Sequence, residues 1–391
     1  MRWAGIALAL SIGSGAQGQE HASVRVPFDD AFGLVWVAVS VGAADTLSFI
    51  LDTGFEYSLI NASVAKQLGL DVAEPRLVPQ PGGAVEVGAV ADVALRIGGV
   101  RVAPLTLQAV PLGGLEPVVG RRLDGVIGHD VIEQYVLTID YDRRTLIVQP
   151  SAGGILPAGD TLALTIIANE PFVDGVIRQP HDSAIRGRFK LDTGSLDAAG
   201  LNRGFLEDAG VLAPGQRTRT IPGVAVGGET DGLLFGVDGF RLGRFEIRHA
   251  VIGATLESAG FENRSDAGTI GAEILRRFTV TLDYAGSRMV LVPGAQFDDP
   301  PAVDRSGMWV VAAGSDFTEF RVRFVLDGGP AAAAGVRQGD VVVSVNGRPA
   351  TEMRLVDLWR LSRQPDGTIV TLDLQRGAER RSARVVLRSP V

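Results

Sequence analysis

Two aspartates stand out by type and by setting. Asp52 and Asp192, 140 positions apart, close the phrases Phe49-Ile50-Leu51-Asp52-Thr53-Gly54 and Phe189-Lys190-Leu191-Asp192-Thr193-Gly194. Asp and Gly are ordinary turn residues, so one Asp-Thr-Gly says little. Here each copy follows a β-prone apolar run and has a matching partner downstream, Gly125-Val126-Ile127-Gly128 and Gly268-Thr269-Ile270-Gly271. The last glycine of each partner lies 76 and 79 residues past its aspartate. Two carboxylates held close together share one proton, because both cannot ionise cheaply. The ionised member can deprotonate a bound water, and the protonated member can hydrogen-bond a scissile carbonyl. Such a pair titrates as a unit. It could hydrolyse an amide without a side-chain nucleophile. The chain has no cysteine, and His21, His129, His181 and His249 show neither serine-elbow nor metal-ligand spacing. A Ser-His-Asp triad assembled from distant residues stays open, but no motif marks one. No metal or cofactor is expected.

The duplicated phrase with its later Ile-Gly partner resembles the aspartic proteases of the pepsin and retropepsin type, over roughly residues 25 to 295. The resemblance implies a mainly β fold: two retropepsin-like β-barrel lobes in one chain, forming a pseudo-dimer. It assigns catalysis to Asp52 and Asp192. It implies that Thr53 and Thr193 hydrogen-bond across to the opposite loop and lock the aspartates face to face. Gly54 and Gly194 let the two loops approach closely, where a Cβ would obstruct. Residues 75 to 90 correspond to a hairpin flap over the cleft, with Gly82 and Gly83 suited to its tip.

One position departs from the pattern. Phe55 follows the first Asp-Thr-Gly, where that family has Ser, Thr or Ala. Ser195, after the second, can hydrogen-bond the outer oxygen of Asp192 and favour its charged form. Phe55 cannot do so for Asp52, so Asp52 is expected to carry the shared proton more often. Phe55→Ser is then expected to move the acid limb of a pH–rate profile to lower pH. Phe55 also leaves open a degenerate first lobe.

The elements that must position these residues repeat in one order. Alternation over residues 34–41 reads as a strand, and a short helix over Ala62 to Leu68 is closed by Gly69. Ala91 to Leu107 reads as strands turning at Ile97-Gly98-Gly99-Val100, and Tyr135 to Val148 as a hairpin. The second half echoes these parts: Leu201-Asn202 echoes Ile60-Asn61, residues 240–245 echo 95–100, and 271–284 match the end of the first lobe. Duplication explains how one chain builds a pseudo-twofold site without dimerising. A monomer is expected.

Composition bounds the class. A length of 391 residues, 46% hydrophobic content and 50 glycines fit two or three strand-rich globular domains. A formal charge of −8 without long runs of like charge argues against nucleic acid as a partner. Arg2, the apolar stretch Trp3 to Ile12 and the small residues after it read as an export signal over residues 1–18. No run is long enough for a membrane helix. With no cysteine for a disulfide or a lipid anchor, a bacterial periplasmic or secreted protein is expected.

Residues 19–150 are read as the first lobe, 151–295 as the second, and 296–305, with Asp298-Asp299-Pro300-Pro301, as a linker. The run from Gly329 to Gly347 places a short helix, a Gly-Asp turn, a strand and an Asn-Gly turn in sequence, and resembles a bacterial PDZ domain over about residues 306–391. That implies a small α+β unit that adds an extended peptide to a sheet edge and holds its terminal carboxylate in backbone N–H groups. Ser306-Gly307-Met308-Trp309 is the candidate loop. A helix from about Leu355 to Leu361 would line the groove, with Leu355, Leu358 and Trp359 on its buried side. The expected partners are polypeptide substrates at the cleft and C-terminal peptide tails at the PDZ domain; a PDZ fold used only for packing is the alternative. The whole reads as an exported aspartic endopeptidase. The rival reading is a catalytically inactive pseudo-protease that binds peptides or regulates.

Overall fold

The computed structural model describes residues 23–42, 44–180, 183–256 and 266–391. The expected export signal, His21 and His181 lie outside the described residues. The strand Ala44–Leu51 delivers Asp52. It pairs antiparallel with Val35–Val41 and parallel with Gly125–Ile127, with Leu51 opposite Ile127. In the second lobe Ser183–Leu191 delivers Asp192 and pairs parallel with Gly268–Ile270, with Leu191 opposite Ile270. Each aspartate's N–H then donates to the carbonyl of the paired isoleucine at 2.9 Å, Asp52 to Ile127 and Asp192 to Ile270. The apolar-Gly signal is thus the strand that fixes where each aspartate leaves the sheet. Gly128 is needed where the chain threads the loop, since a Cβ there would stand 2.6 Å from the Tyr57 backbone.

The lobes meet in a six-stranded sheet. At its centre Tyr135–Asp140 runs antiparallel to Phe278–Asp283, with Thr138 opposite Thr281. Their buried hydroxyls are 2.8 Å apart, and these equivalent residues mark the pseudo-twofold axis. The fold is mainly β, with several curled sheets.

Both lobes carry a long hairpin. In the first, Arg76–Gln80 pairs with Gly83–Ile97 around a tip at Pro81-Gly82, and Gly82 has φ +83°. Gly83–Ile97 is one strand of 15 residues, not the flap arm plus separate strand expected from the sequence. It passes through a register irregularity between Val90 and Val93, with Asp92 at φ +55°. Such a bulge re-aims a strand without ending it. The second-lobe hairpin joins Thr218–Ala225 to Gly228–Gly236. The tips touch, and Gly227 N–H donates to Pro81 O at 3.0 Å.

The C-terminal unit is a sheet in which Met308–Ala313 is an edge strand, with the helix Leu355–Ser362 packed beside it. It does not hang free. Along the strand Val35–Val41, Val35, Val37 and Val39 face the lobe's own core, whereas Trp36 joins an apolar cluster shared with Met308, Leu355 and Leu358. Ile50, Leu59 and Val126 join Trp36 there. The first-lobe sheet is therefore covered on both faces, which is why its strands are apolar at successive positions. Phe32 meets Trp359 edge-on at 5.4 Å, and Arg360 pairs with Asp30 at 3.2 Å. Such half-exposed pairs add little energy, so the apolar contact dominates the docking.

The segment 296–305 is pinned rather than loose. The buried Arg277 donates to the carbonyls of Phe297 (3.1 Å) and Asp299 (2.6 Å). Ala302 N–H donates to Glu273 Oε1 at 3.1 Å, and Arg363 Nε donates to Ala302 O at 2.8 Å. Backbone carbonyls of the segment read as a linker are taken up by arginines from both neighbouring units.

Candidate active site

The two Asp-Thr-Gly loops cross-bond. Thr53 N–H donates to Thr193 Oγ1 at 3.1 Å, and Thr53 Oγ1 donates to Leu191 O at 2.8 Å. The reverse pair has the same lengths, Thr193 N–H to Thr53 Oγ1 and Thr193 Oγ1 to Leu51 O. Both threonines are buried. Every donor and acceptor of this knot is therefore satisfied away from water, which makes the arrangement stiff. Gly54 N–H donates to Asp52 Oδ1 at 2.8 Å, and Gly194 N–H to Asp192 Oδ1 at 3.2 Å. A Cβ on Gly54 would stand 2.6 Å from the Asp192 carboxyl carbon, and one on Gly194 would collide with the Asp52 carboxylate. Each glycine leaves the space that the opposite aspartate fills.

The dyad is not symmetric. Burial, and next the Asp192 carboxylate, push Asp52 well above the usual carboxylate range, against the opposing pull of the Gly54 N–H and of Lys190. The asymmetry does not come through the serine expected to supply it. Among the described residues no hydrogen bond joins the Ser195 side chain to Asp192; the Ser195 backbone N–H donates instead to Asp192 O at 3.2 Å. Phe55 packs into the apolar cluster shared with the C-terminal unit, and its carbonyl accepts the His129 N–H at 3.0 Å. The charge beside Asp192 is Lys190, with Nζ 3.8 Å from Oδ2. Sequence reasoning passed over Lys190, because a lysine in a strand usually points to solvent. The available signal was its place two residues before Asp192, where the first lobe has Ile50.

A proton held more tightly in the native state than in the unfolded chain makes stability fall as pH rises toward the folded value. Asp52 is in that position. Asp52→Asn removes the ionisation, so its melting temperature relative to the native chain should climb as pH rises above about 4, the unperturbed carboxylate value. A difference that stays constant across this window would contradict the protonated Asp52.

Asp52, Asp192, the first flap at Val78, the second at Val224, and Gly307, Met308, Trp309, Leu355 and Leu358 all line one cavity of about 1280 Å³. The residues singled out for peptide binding thus share the dyad's cavity instead of forming a remote groove. The second flap, residues 218–236, was missed; Gly227-Gly228 echoes Gly82-Gly83 and was the signal for it.

The expected carboxylate nest is already occupied. Ser306 and Gly307 N–H donate to Asp304 Oδ1 at 2.9 and 3.0 Å, and Met308 N–H donates to Ser306 Oγ at 3.2 Å. The chain's own carboxylate sits where a peptide terminus was expected. Three of the donors expected to hold a peptide's terminus are thus satisfied within the chain.

Residues 37–131 match the family model described as aspartyl protease, and residues 321–376 match that of the PDZ domain. The protein therefore carries a retropepsin-like aspartyl protease domain and a PDZ domain. The second Asp-Thr-Gly loop lies outside the matched segment and is tied to it by the structural repeat. No curated protein matches the chain. Among solved structures, the photosystem II D1 C-terminal processing protease is 26% identical, covering 22% of this chain and 23% of that one, with a TM-score of 0.21. This chain thus spans less than a quarter of that protease's length.

Proposed function

We propose that the protein is an aspartic endopeptidase that hydrolyses peptide bonds with water activated between Asp52 and Asp192. The observation that carries this reading is the reciprocal threonine knot, which sets two carboxylates against each other on the wall of a peptide-sized cavity. Asp192, beside Lys190, is the base that takes the proton from water. Asp52 is the acid that hydrogen-bonds the scissile carbonyl. Substrate lies under both flaps and along the PDZ wall. Incubating the pure protein with a mixed peptide library from acid to neutral pH tests this directly. New internal cleavages, suppressed by a statine peptide that mimics the tetrahedral intermediate, are the expected result. An intact library at every pH sinks it.

A second reading, a peptide-binding pseudo-protease, draws on Phe55, whose side chain packs into an apolar cluster and has no hydroxyl to offer Asp52. Retained peptides without cleavage would mark that outcome. Export to the periplasm or medium rests on the N-terminal sequence pattern. Its test is the N-terminus of the protein recovered from those fractions, expected near residue 17 to 19.

A further inference from the structure

In the second lobe a buried ion pair takes a place that is apolar in the first. Ile50 faces Trp36 in the first-lobe ladder, and Lys190 faces Phe172 at the matching step in the second. Two residues before Trp36 stands Leu34, and two before Phe172 stands Glu170. Leu34 and Ile50 are buried hydrophobics. Glu170 and Lys190 have only 8% and 11% of their side chains exposed, with Lys190 Nζ 3.1 Å from Glu170 Oε1. Burying two charges is expensive unless geometry and further hydrogen bonds compensate, and an apolar pair of similar volume is often at least as stable. Stability is thus a poor reason for the pair to be there. The ammonium does two more things. It donates across the lobe boundary to Gly54 O at 3.2 Å, within the loop that carries Asp52, and it lies 3.8 Å from Asp192 Oδ2.

We propose that Lys190, aimed by Glu170, is a positioning residue that ties the Asp52 loop to the second lobe and directs the dyad's single negative charge to Asp192, leaving the shared proton on Asp52. The inference rests on the proteolytic reading for its kinetic consequence, but its electrostatic content is independent of turnover. The charged and titratable groups facing this centre include Glu170, Asp52 and Asp192. Tyr284 lies within electrostatic reach of Asp52, and Asp197 within reach of Asp192. Thr269, opposite Lys190 on the parallel strand, adds no charge. Lys190 is thus the cation placed beside Asp192, and its removal has a definite sign. A cation near the dyad lowers both of its ionisations, so removing it raises both.

The decisive variant copies the first lobe: Glu170→Leu with Lys190→Ile. It removes the pair without stranding either charge. Its acid limb for kcat/KM should move up by about one pH unit. Lys190→Arg, which keeps a cation, should stay near the native profile. An acid limb unchanged in the folded double variant would reduce the pair to a packing feature and overturn the proposal. Carboxyl-labelled aspartate followed by NMR reads the same point without catalysis and in the native chain. Asp192 should lose its proton at lower pH than Asp52, and in the double variant the gap should narrow. Asp52 deprotonating first in the native protein would overturn the assignment even if the variant failed to fold. An absence of peptide cleavage by the native protein, by contrast, would strike the proteolytic reading and leave the titration order standing.

Discussion

Asp52→Asn and Asp192→Asn should each abolish peptide cleavage, lowering kcat by at least about 10³-fold, the upper part of the range for a positioned acid–base group. The fold should survive both changes, because an amide oxygen can still accept the Gly54 or Gly194 N–H that each carboxylate now takes. The losses should be non-additive, since the two groups act as one unit: the double variant should be no slower than the worse single one. Circular dichroism and melting curves separate this from unfolding. Near-native turnover in either single variant would dismiss the shared-proton mechanism.

Deleting residues 306–391 should abolish the proposed cleavage of short and long substrates alike. A tethered recruiting domain would give the opposite pattern, slowing tailed proteins more than peptides. The difference follows from where the PDZ unit sits. Its removal strips one wall from the cavity, at Met308, Trp309 and Leu358. It also uncovers Phe32, which meets Trp359 edge-on, and opens the apolar cluster that Leu34, Trp36, Ile50 and Leu112 share with the domain. Each large side chain fully returned to water costs roughly 1.5 to 3 kcal/mol, so exposing even a few would remove much of a domain's stability. The truncated chain should melt lower and associate through the exposed patch. Full peptide turnover by a monomeric truncated protein would show that the docking is dispensable.

Much of the site was legible before any coordinates, because its parts are local and said twice. A strand must end where Asp-Thr-Gly turns, and a second strand with a closing glycine must pass beside it. Both constraints are written in consecutive residues, and duplication makes them hard to miss. The PDZ unit was legible for the same reason, from the turns and strand between Gly329 and Gly347. Gly82-Gly83 marked one flap tip, and its echo at Gly227-Gly228 carried the same information for the other.

What only the tertiary structure decided lies in contacts between distant segments. The apolar run at Leu34 to Val37 fits a strand with one or two covered faces, and only the docked PDZ unit reveals that both are covered. Asp304 reads as one more acid in a Pro-rich connector until the fold places it under the N–H groups of Ser306 and Gly307. Lys190 reads as a solvated strand lysine until Glu170 and Gly54 O close around it. In each case the side chain's role depends on which element buries it. Alternation along a strand specifies two faces, and only packing determines what each face meets. The sequence alone determined that two aspartates should face each other. The three-dimensional packing broke the symmetry between them, because a cation on the second-lobe strand lies beside Asp192, while burial pushes Asp52 above the usual carboxylate range.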